Sequence, residues 1–269
     1  MDFKPISTLI KPEFNADNHS YSFDGQPLPG VSYLMEQIGV KEPFDRTFWF
    51  QSLIRKGMTE EEAIEHMDMR CQLGIARGNG LHGYVESWIK GGRPNAKDFC
   101  PPELPSLDPY VAGFHEFLAH YEVSSVLLCE QPLVNPIAMY CGTVDCLAVT
   151  PNGLMTIDWK TTETLKKYRR HEWQCYQQVL YAAAINRCYI LDRPVDKGMS
   201  VTFAEDGWKV QEWPTELFMP RWAEVKQLIW DFWHEQLELG QMTEWPGAAP
   251  RAIEAMQRQW GAKKQPAAV

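Results

Sequence analysis

The stretch that most constrains this chain runs from Gly142 to Lys160, Gly-Thr-Val-Asp-Cys-Leu-Ala-Val-Thr-Pro-Asn-Gly-Leu-Met-Thr-Ile-Asp-Trp-Lys. Two β-patterned runs flank Pro151-Asn152-Gly153, and Asn-Gly between alternating runs is a strong hairpin signal. Strand side chains alternate between faces, so Leu154, Thr156, Asp158 and Lys160 point one way and Met155, Ile157 and Trp159 the other. The Trp159 face is apolar, which predicts burial. A Pro151-Asn152 loop sets Asp145 opposite Asp158; an Asn152-Gly153 loop sets it opposite Lys160. All three residues share a face in either register, whereas a three-residue loop without a bulge would separate them. Two aspartates facing each other at roughly 5 Å are destabilising unless something offsets the charge, and a divalent cation is the obvious candidate.

With 269 residues, 45% of them hydrophobic and 23% charged, the chain has the composition of an ordered globular protein with a sizeable core. The expected organisation is one domain over 1–269. An arm, a hairpin and helices occupy 1–70, the core 71–215, and a helix and tail 216–269. A net charge of −9 argues against broad coating of duplex DNA, because such footprints are basic. It leaves room for a local groove, since Lys160, Lys166, Lys167, Arg169, Arg170 and His171 fall close together; the plainer reading of that run is a solvated face. Seven cysteines show no C-x-x-C pair and no zinc-type spacing, which predicts reduced, mostly buried thiols in a cytoplasmic protein. The opening Met-Asp-Phe-Lys lacks an apolar signal region and no apolar run approaches ~20 residues, so neither secretion nor membrane spanning is expected.

Along the chain, Tyr21-Ser-Phe and the turn Asp24-Gly25 predict a small hairpin. Ser32 is a plausible N-cap for a helix ending at Gly39. Residues 43–70 read as helices, with Thr59 and Glu62 forming a capping box, and 73–90 as a further helix. Glycines at 78, 80 and 83 weaken that helix by ~1 kcal/mol each relative to alanine, which implies that another group approaches closely. His82 and Glu86, four apart, share a face. After a proline-rich loop over 94–109, a helix over 109–121 carries His115 and His120. Their spacing of five turns the two imidazoles about 140° apart, so they do not form a zinc-protease pair.

Strands follow over 126–134, with Glu130 either beside the carboxylates or facing water, and then the central hairpin. A helix over 171–187 places Gln177 and Tyr181 on one side. A β-ribbon over 199–213 and a helix over 217–239 complete the pattern. The tail, with Pro246 and Pro250, predicts a mobile end.

Asp145 and Asp158, with His82, offer hard oxygen ligands plus one nitrogen, a set suited to Mg²⁺ or Mn²⁺. A lysine two residues beyond a ligand can hold the attacking water or steady a phosphate. The ordered motifs Gly78-x-x-x-His82-x-x-x-Glu86, Gly142-x-x-Asp145, Asp158-x-Lys160 and Gln177-x-x-x-Tyr181 resemble the PD-(D/E)XK nuclease superfamily, in particular its RecB-type exonucleases. Leu28-Pro-Gly-Val-Ser-Tyr-Leu resembles an N-terminal stretch of phage members of that group.

The resemblance implies an α/β fold, a mixed central sheet flanked by helices with a helical N-terminal part. It implies metal ligation by His82, Asp145, Asp158 and the Trp159 carbonyl, and water activation by Lys160. Gln177 and Tyr181 would orient the Lys160 region or contact the DNA backbone, and Glu86 and Glu130 would support the site. Lys166, Lys167, Arg169 and Arg170 are candidate DNA contacts; Tyr84, Trp88 and Tyr168 are aromatics able to stack on bases or to lie in the core. The absence of cysteines beyond Cys188 argues against the iron–sulfur cluster of some relatives. The implied activity is hydrolysis of DNA from a free end, in recombination, repair or phage DNA processing, in a bacterium or phage-infected cell. A recombination or single-strand-binding protein is a candidate partner. The alternatives are an endonuclease on the same fold and a non-catalytic scaffold that retains it.

Overall fold

The computed structural model describes residues 1–8 and 10–240; the expected mobile tail lies outside them. In chain order the elements are β1 (Asp2–Phe3), β2 (Glu13–Asn15), β3 (Ser20–Phe23), β4 (Gln26–Leu28), α1 (Val31–Gln37), α2 (Thr47–Arg55), α3 (Glu60–Ile89), α4 (Ala96–Phe99), α5 (Asp108–His120), β5 (Ser125–Asn135), β6 (Tyr140–Thr150), β7 (Gly153–Thr161), α6 (Trp173–Cys188), β8 (Gly198–Ala204), β9 (Gly207–Trp213) and α7 (Thr215–Glu238). Among the described residues the main sheet runs β1-β5-β6-β7-β8-β9, and β2-β3-β4 form a separate small sheet. The main sheet is mixed. β5, β6 and β7 are antiparallel neighbours, α6 crosses over to bring β8 parallel to β7, and β9 returns antiparallel to β8. The expected mixed α/β architecture is what the chain adopts.

The hairpin follows the first of its two registers. Thr150 pairs with Gly153 and Cys146 with Ile157, so the loop is Pro151-Asn152, and one step further along the same register Asp145 faces Asp158. Alternation along β7 sends its two faces to two cores. Ile157 and Trp159 join Leu81, Phe114, Phe117 and Phe203 beneath α3 and α5. The opposite side of the sheet packs Leu128 and Leu147 against Val179, Leu180 and Ile185 of α6, with α1 and α7 outside them. Trp159 is fully buried against Phe114 and Phe117 at ring-centroid distances of 5.8 and 5.7 Å, as its apolar face predicts.

Three local expectations change. The helices expected over 43–70 and 73–90 do not meet at a break: α3 runs unbroken from Glu60 to Ile89, opened by the Thr59/Glu62 capping box. Its glycines do mark a close approach, and the neighbour is protein. A Cβ on Gly80 would lie 2.5 Å from the Phe99 carbonyl oxygen, and one on Gly83 would lie 3.0 Å from the Phe99 ring. Packing against that segment outweighs the propensity cost. The α1 N-cap is Gly30 rather than Ser32. Cys141 N donates to Pro29 O at 2.9 Å, so the helix begins where the chain leaves its contact with β6. Finally, the proline-rich loop contains the short α4, capped by Asn95.

Candidate active site

Three carboxyls stand in a row across the middle of the sheet. The pairs Cys129–Cys146 and Gln131–Val144 bracket Glu130 and Asp145, placing them across from each other on β5 and β6, and Asp158 of β7 is next in line. The ladders are interrupted here. Glu130 has φ +46°, a left-handed conformation uncommon for a residue with a Cβ. On the other side, the Trp159 amide donates to Asp145 Oδ2 at 2.8 Å, so a side chain takes a bond that the ladder would otherwise hold.

His82 closes the group from α3. Its Nδ1 donates to Glu130 Oε1 at 2.8 Å and its Nε2 faces the Trp159 carbonyl oxygen at 3.1 Å. Asp145 Oδ2 lies 3.8 Å from the same Nε2. Both ring nitrogens meet oxygen acceptors, an arrangement that suits the doubly protonated imidazolium. Donor atoms of His82, Glu130 and Asp145 all lie within 4.8 Å of one another, close enough to hold one cation. Asp158 is buried beside them, with Oδ1 accepting from Lys160 Nζ at 2.8 Å and Oδ2 left without a partner.

The electrostatics follow from this crowding. Burial pushes the Asp158 carboxyl up to about 6; Asp145 adds to the rise and Lys160 opposes it. Burial raises Asp145 as well, against the pull of His82 and Lys160. For His82, burial alone would lower the pKa, but Asp145 and Glu130 outweigh it and raise it to about 9. Lys160 behaves similarly: desolvation opposes its charge, and the Asp158 and Asp145 carboxylates more than restore it. Carboxylates in excess of their cations, one with an unpaired oxygen, fit a divalent cation bound through hard oxygens and, once His82 gives up its Nε2 proton to solvent, one imidazole nitrogen.

The remaining candidates divide. Gln177 Nε2 donates to Tyr181 Oη at 3.3 Å; both are buried, and Tyr181 borders the cleft while burial and the two aspartates raise its hydroxyl pKa far above the usual range. Glu86 also borders the cleft but pairs with Lys90, so the residue that holds His82 is Glu130, which stands beside the carboxylates and lines the cleft half-buried. Sequence left Glu130 open because alternation assigns a face and cannot foresee a left-handed residue in a strand.

Lys166, Lys167, Arg169 and Arg170 do not line the cleft, and Lys167 lines a separate pocket with Arg70 and Glu163. Lys160 and Thr161 border the cleft, whereas Lys167 pairs with Glu163, Arg170 Nε lies 3.4 Å from Glu172, and the Arg169 guanidinium donates to the Tyr168 carbonyl at 3.0 Å. Of the aromatics, Tyr84 is buried in the core with its hydroxyl 3.0 Å from His115 Nε2, and Trp88 is half-buried, packed on Phe114 at the edge of the same core. His115 and His120 face different neighbours, Tyr84 and Trp208.

The cleft in front of the carboxyls has a volume of about 950 Å³. One wall is the N-terminal segment: Tyr21, Gly30, Val31 and Tyr33 line it, and the Tyr21 and Thr143 hydroxyls are 2.9 Å apart. Sequence singled out 28–34 only by resemblance; no hydropathy signal connects an N-terminal hairpin to strand β6.

A mixed α/β core with a carboxylate–histidine–lysine cluster in a cleft is the class of arrangement that fold and site define. No family model matches the chain. A stretch of 98 residues is 32% identical to mitochondrial genome maintenance exonuclease 1 of Mus musculus, covering 35% of this chain and 29% of that protein. The chain thus spans under a third of the length of this curated relative, and the likeness is to a nuclease. Among the described residues no helix is long and apolar enough to cross a membrane.

Proposed function

We propose that this chain is a metal-dependent deoxyribonuclease of the PD-(D/E)XK type that hydrolyses phosphodiester bonds from a DNA end. The observation that carries this reading is the row of Glu130, Asp145 and Asp158 on three neighbouring strands: Glu130 and Asp145 line one cleft with His82 and Lys160, and Asp158, next in line, is buried and paired with Lys160. Asp145, Asp158, His82 Nε2 and the Trp159 carbonyl would hold Mg²⁺ or Mn²⁺. When bound, such an ion supplies charge stabilisation for the phosphoryl oxygens and lowers the pKa of water.

The chain's own groups account for the rest. Glu130 accepts the Nδ1 proton of His82, fixing the ring so that Nε2 faces Asp145. Lys160, anchored on Asp158, presents an ammonium beside the carboxylates, where it can orient a water or a phosphate oxygen. Tyr181, propped by Gln177, lines the cleft next to Gly142. The basic run at 166–170 is a candidate contact for the DNA backbone, and few phosphate contacts are expected from an acidic protein, hence a shallow salt dependence. We take this chain to be a single nuclease domain.

The test is digestion of end-labelled single- and double-stranded DNA beside a covalently closed circle, with Mg²⁺, Mn²⁺ or EDTA. Linear substrates should disappear with Mn²⁺ while the circle survives; cutting of the circle would instead identify an endonuclease. Asp158→Ala should abolish the Mn²⁺-dependent loss while circular dichroism stays native. Undiminished activity in that variant would overturn the assignment, and an inactive wild type would leave the non-catalytic scaffold.

A further inference from the structure

A line of polar side chains continues from Asp158 across the remaining strands, away from the cleft. Ser200 of β8 is the register neighbour of Asp158, and Gln211 of β9 is the register partner of Ser200. All three are buried beneath the α6 side of the sheet. At the far end, the Tyr168 hydroxyl donates to Gln211 Oε1 at 3.3 Å. Tyr168 belongs to the basic stretch after β7, with Lys209 Nζ 5.5 Å from its ring centre.

Three atoms on this line lack a hydrogen-bond partner: Gln211 Nε2, Ser200 Oγ and Asp158 Oδ2. Leaving buried polar atoms unpaired is unfavourable, and native proteins avoid it. Here the three are complementary. The amide nitrogen can only donate, the carboxylate oxygen can only accept, and the hydroxyl between them can do both. Register neighbours on adjacent strands are ~4.8 Å apart, a spacing that side-chain hydrogen bonds span, and Ser200 and Gln211 have alternative staggered conformers with which to make them.

We propose that Tyr168, Gln211 and Ser200 form a hydrogen-bond relay that positions Asp158, donating from Tyr168 to Gln211, from Gln211 to Ser200 and from Ser200 to Asp158. The proposal rests on the reading of Asp158 as a metal ligand. Lys160 holds one oxygen of that carboxylate and Ser200 the other, which fixes the plane of the group while each oxygen keeps a lone pair for the cation. The outer end of the relay lies in the stretch that carries Lys166, Lys167, Arg169 and Arg170. A nucleic-acid backbone drawn to those cations immobilises Tyr168, and the relay carries that order to Asp158. Ser200, Gln211 and Tyr168 are therefore positioning residues, acting on the reaction through Asp158.

The experiment compares wild type with Ser200→Ala, Ser200→Thr, Tyr168→Phe and the Ser200→Ala/Tyr168→Phe double variant. Two quantities are read: the Mn²⁺ dissociation constant by calorimetry without DNA, and kcat and KM for DNA hydrolysis. Ser200→Ala should weaken Mn²⁺ binding about tenfold, the usual effect of losing a partner that orients a ligand. It should lower kcat and leave KM unchanged, whereas Ser200→Thr, which keeps the hydroxyl, should retain both. Tyr168→Phe should lose less in the same direction, and the double variant should be no worse than Ser200→Ala, because both substitutions interrupt one path. Wild-type Mn²⁺ affinity and kcat in Ser200→Ala, or losses that multiply in the double variant, refute the relay while wild-type activity leaves the nuclease reading intact. A wild-type protein that takes up no Mn²⁺ and leaves DNA whole refutes the nuclease reading, and the relay's purpose with it.

Discussion

Asp158→Asn should make the metal-free protein more stable, and adding metal should reverse the order. Burial raises the Asp158 carboxyl from 3.8 to about 6 even with Lys160 attached. At ~1.4 kcal/mol per pH unit, that displacement means the folded state carries roughly 3 kcal/mol for keeping this group ionised. Asparagine removes the charge at nearly constant volume. That figure already includes the pull of Lys160; against the gain, the asparagine amide nitrogen takes the place of the buried, unpartnered Oδ2 and needs a partner of its own, a cost of about 1–2 kcal/mol. The net gain of about 1–2 kcal/mol corresponds to a melting temperature about 2–6 °C higher in EDTA.

The sign depends on pH in a defined way. Above pH 6 the carboxyl is ionised in both the folded and the unfolded chain, and the folded chain bears the penalty. As the pH falls through 6 toward 3.8, folding takes up the proton and the penalty disappears, so the variant's advantage at pH 8 should shrink at pH 5. Saturating Mn²⁺ should stabilise wild type by about 2.7 kcal/mol at a hundredfold excess over Kd, while the variant has lost an anionic ligand. Scanning calorimetry at two pH values, with EDTA or Mn²⁺, reads all four combinations. A variant that melts lower than wild type in EDTA at pH 8 would show that the Lys160 pairing dominates and that the desolvation argument is wrong.

Gly142→Ala should destabilise the fold by about 1–3 kcal/mol in urea denaturation, as overpacked sites do, because its Cβ would stand 2.9 Å from both Tyr181 and Val31; an unchanged midpoint would mean that Tyr181 yields freely. Thr59→Ala removes the side-chain half of the α3 capping box, the bond from the Glu62 amide to the Thr59 hydroxyl, and keeps the bond from the Thr59 amide to the Glu62 carboxylate; it should lower stability by ~1 kcal/mol. The proposed nuclease activity at 25 °C should be unaffected, and thermal melting beside an activity assay checks both halves.

Much of the scaffold was legible because its signals are local. The capping box at Thr59, the Asp24-Gly25 turn and the alternation in β7 each need only a few neighbouring residues to be read. What was not legible depends on tertiary contact. The glycines of α3 suggested an approaching group without saying that it was Phe99, and they did not interrupt the helix, because packing supplied what propensity lacked. Ser32 had the right chemistry for a cap, but the helix start is set by the pairing of Pro29 and Gly30 with Cys141, more than a hundred residues away. The distinction between Glu86 and Glu130 has the same origin: helical spacing brings Glu86 near His82 in sequence, and only the folded sheet brings Glu130 to its Nδ1.

The central hairpin shows how far parity reaches and where it stops. Parity placed Asp145, Asp158 and Lys160 on one face, and the Pro151-Asn152 loop then selected the register that sets the two aspartates against each other. Like charges in that position would be a defect in an unbroken ladder. The ladder is not unbroken: pairing between β6 and β7 gives way beyond Cys146 and Ile157, and Asp145 captures the Trp159 amide while His82 faces the Trp159 carbonyl. On the other side of β6, the left-handed backbone at Glu130 interrupts the second ladder at the same level. Both interruptions release backbone and carboxylate groups toward one point, and the groups released are oxygen donors. A sheet that only needed to be stable would have closed those ladders with apolar or hydroxyl residues. The break in two adjacent ladders at a row of acids is the strongest physical reason to regard the row as built for a cation, because without one the arrangement combines lost main-chain pairing with buried, mutually repelling charge.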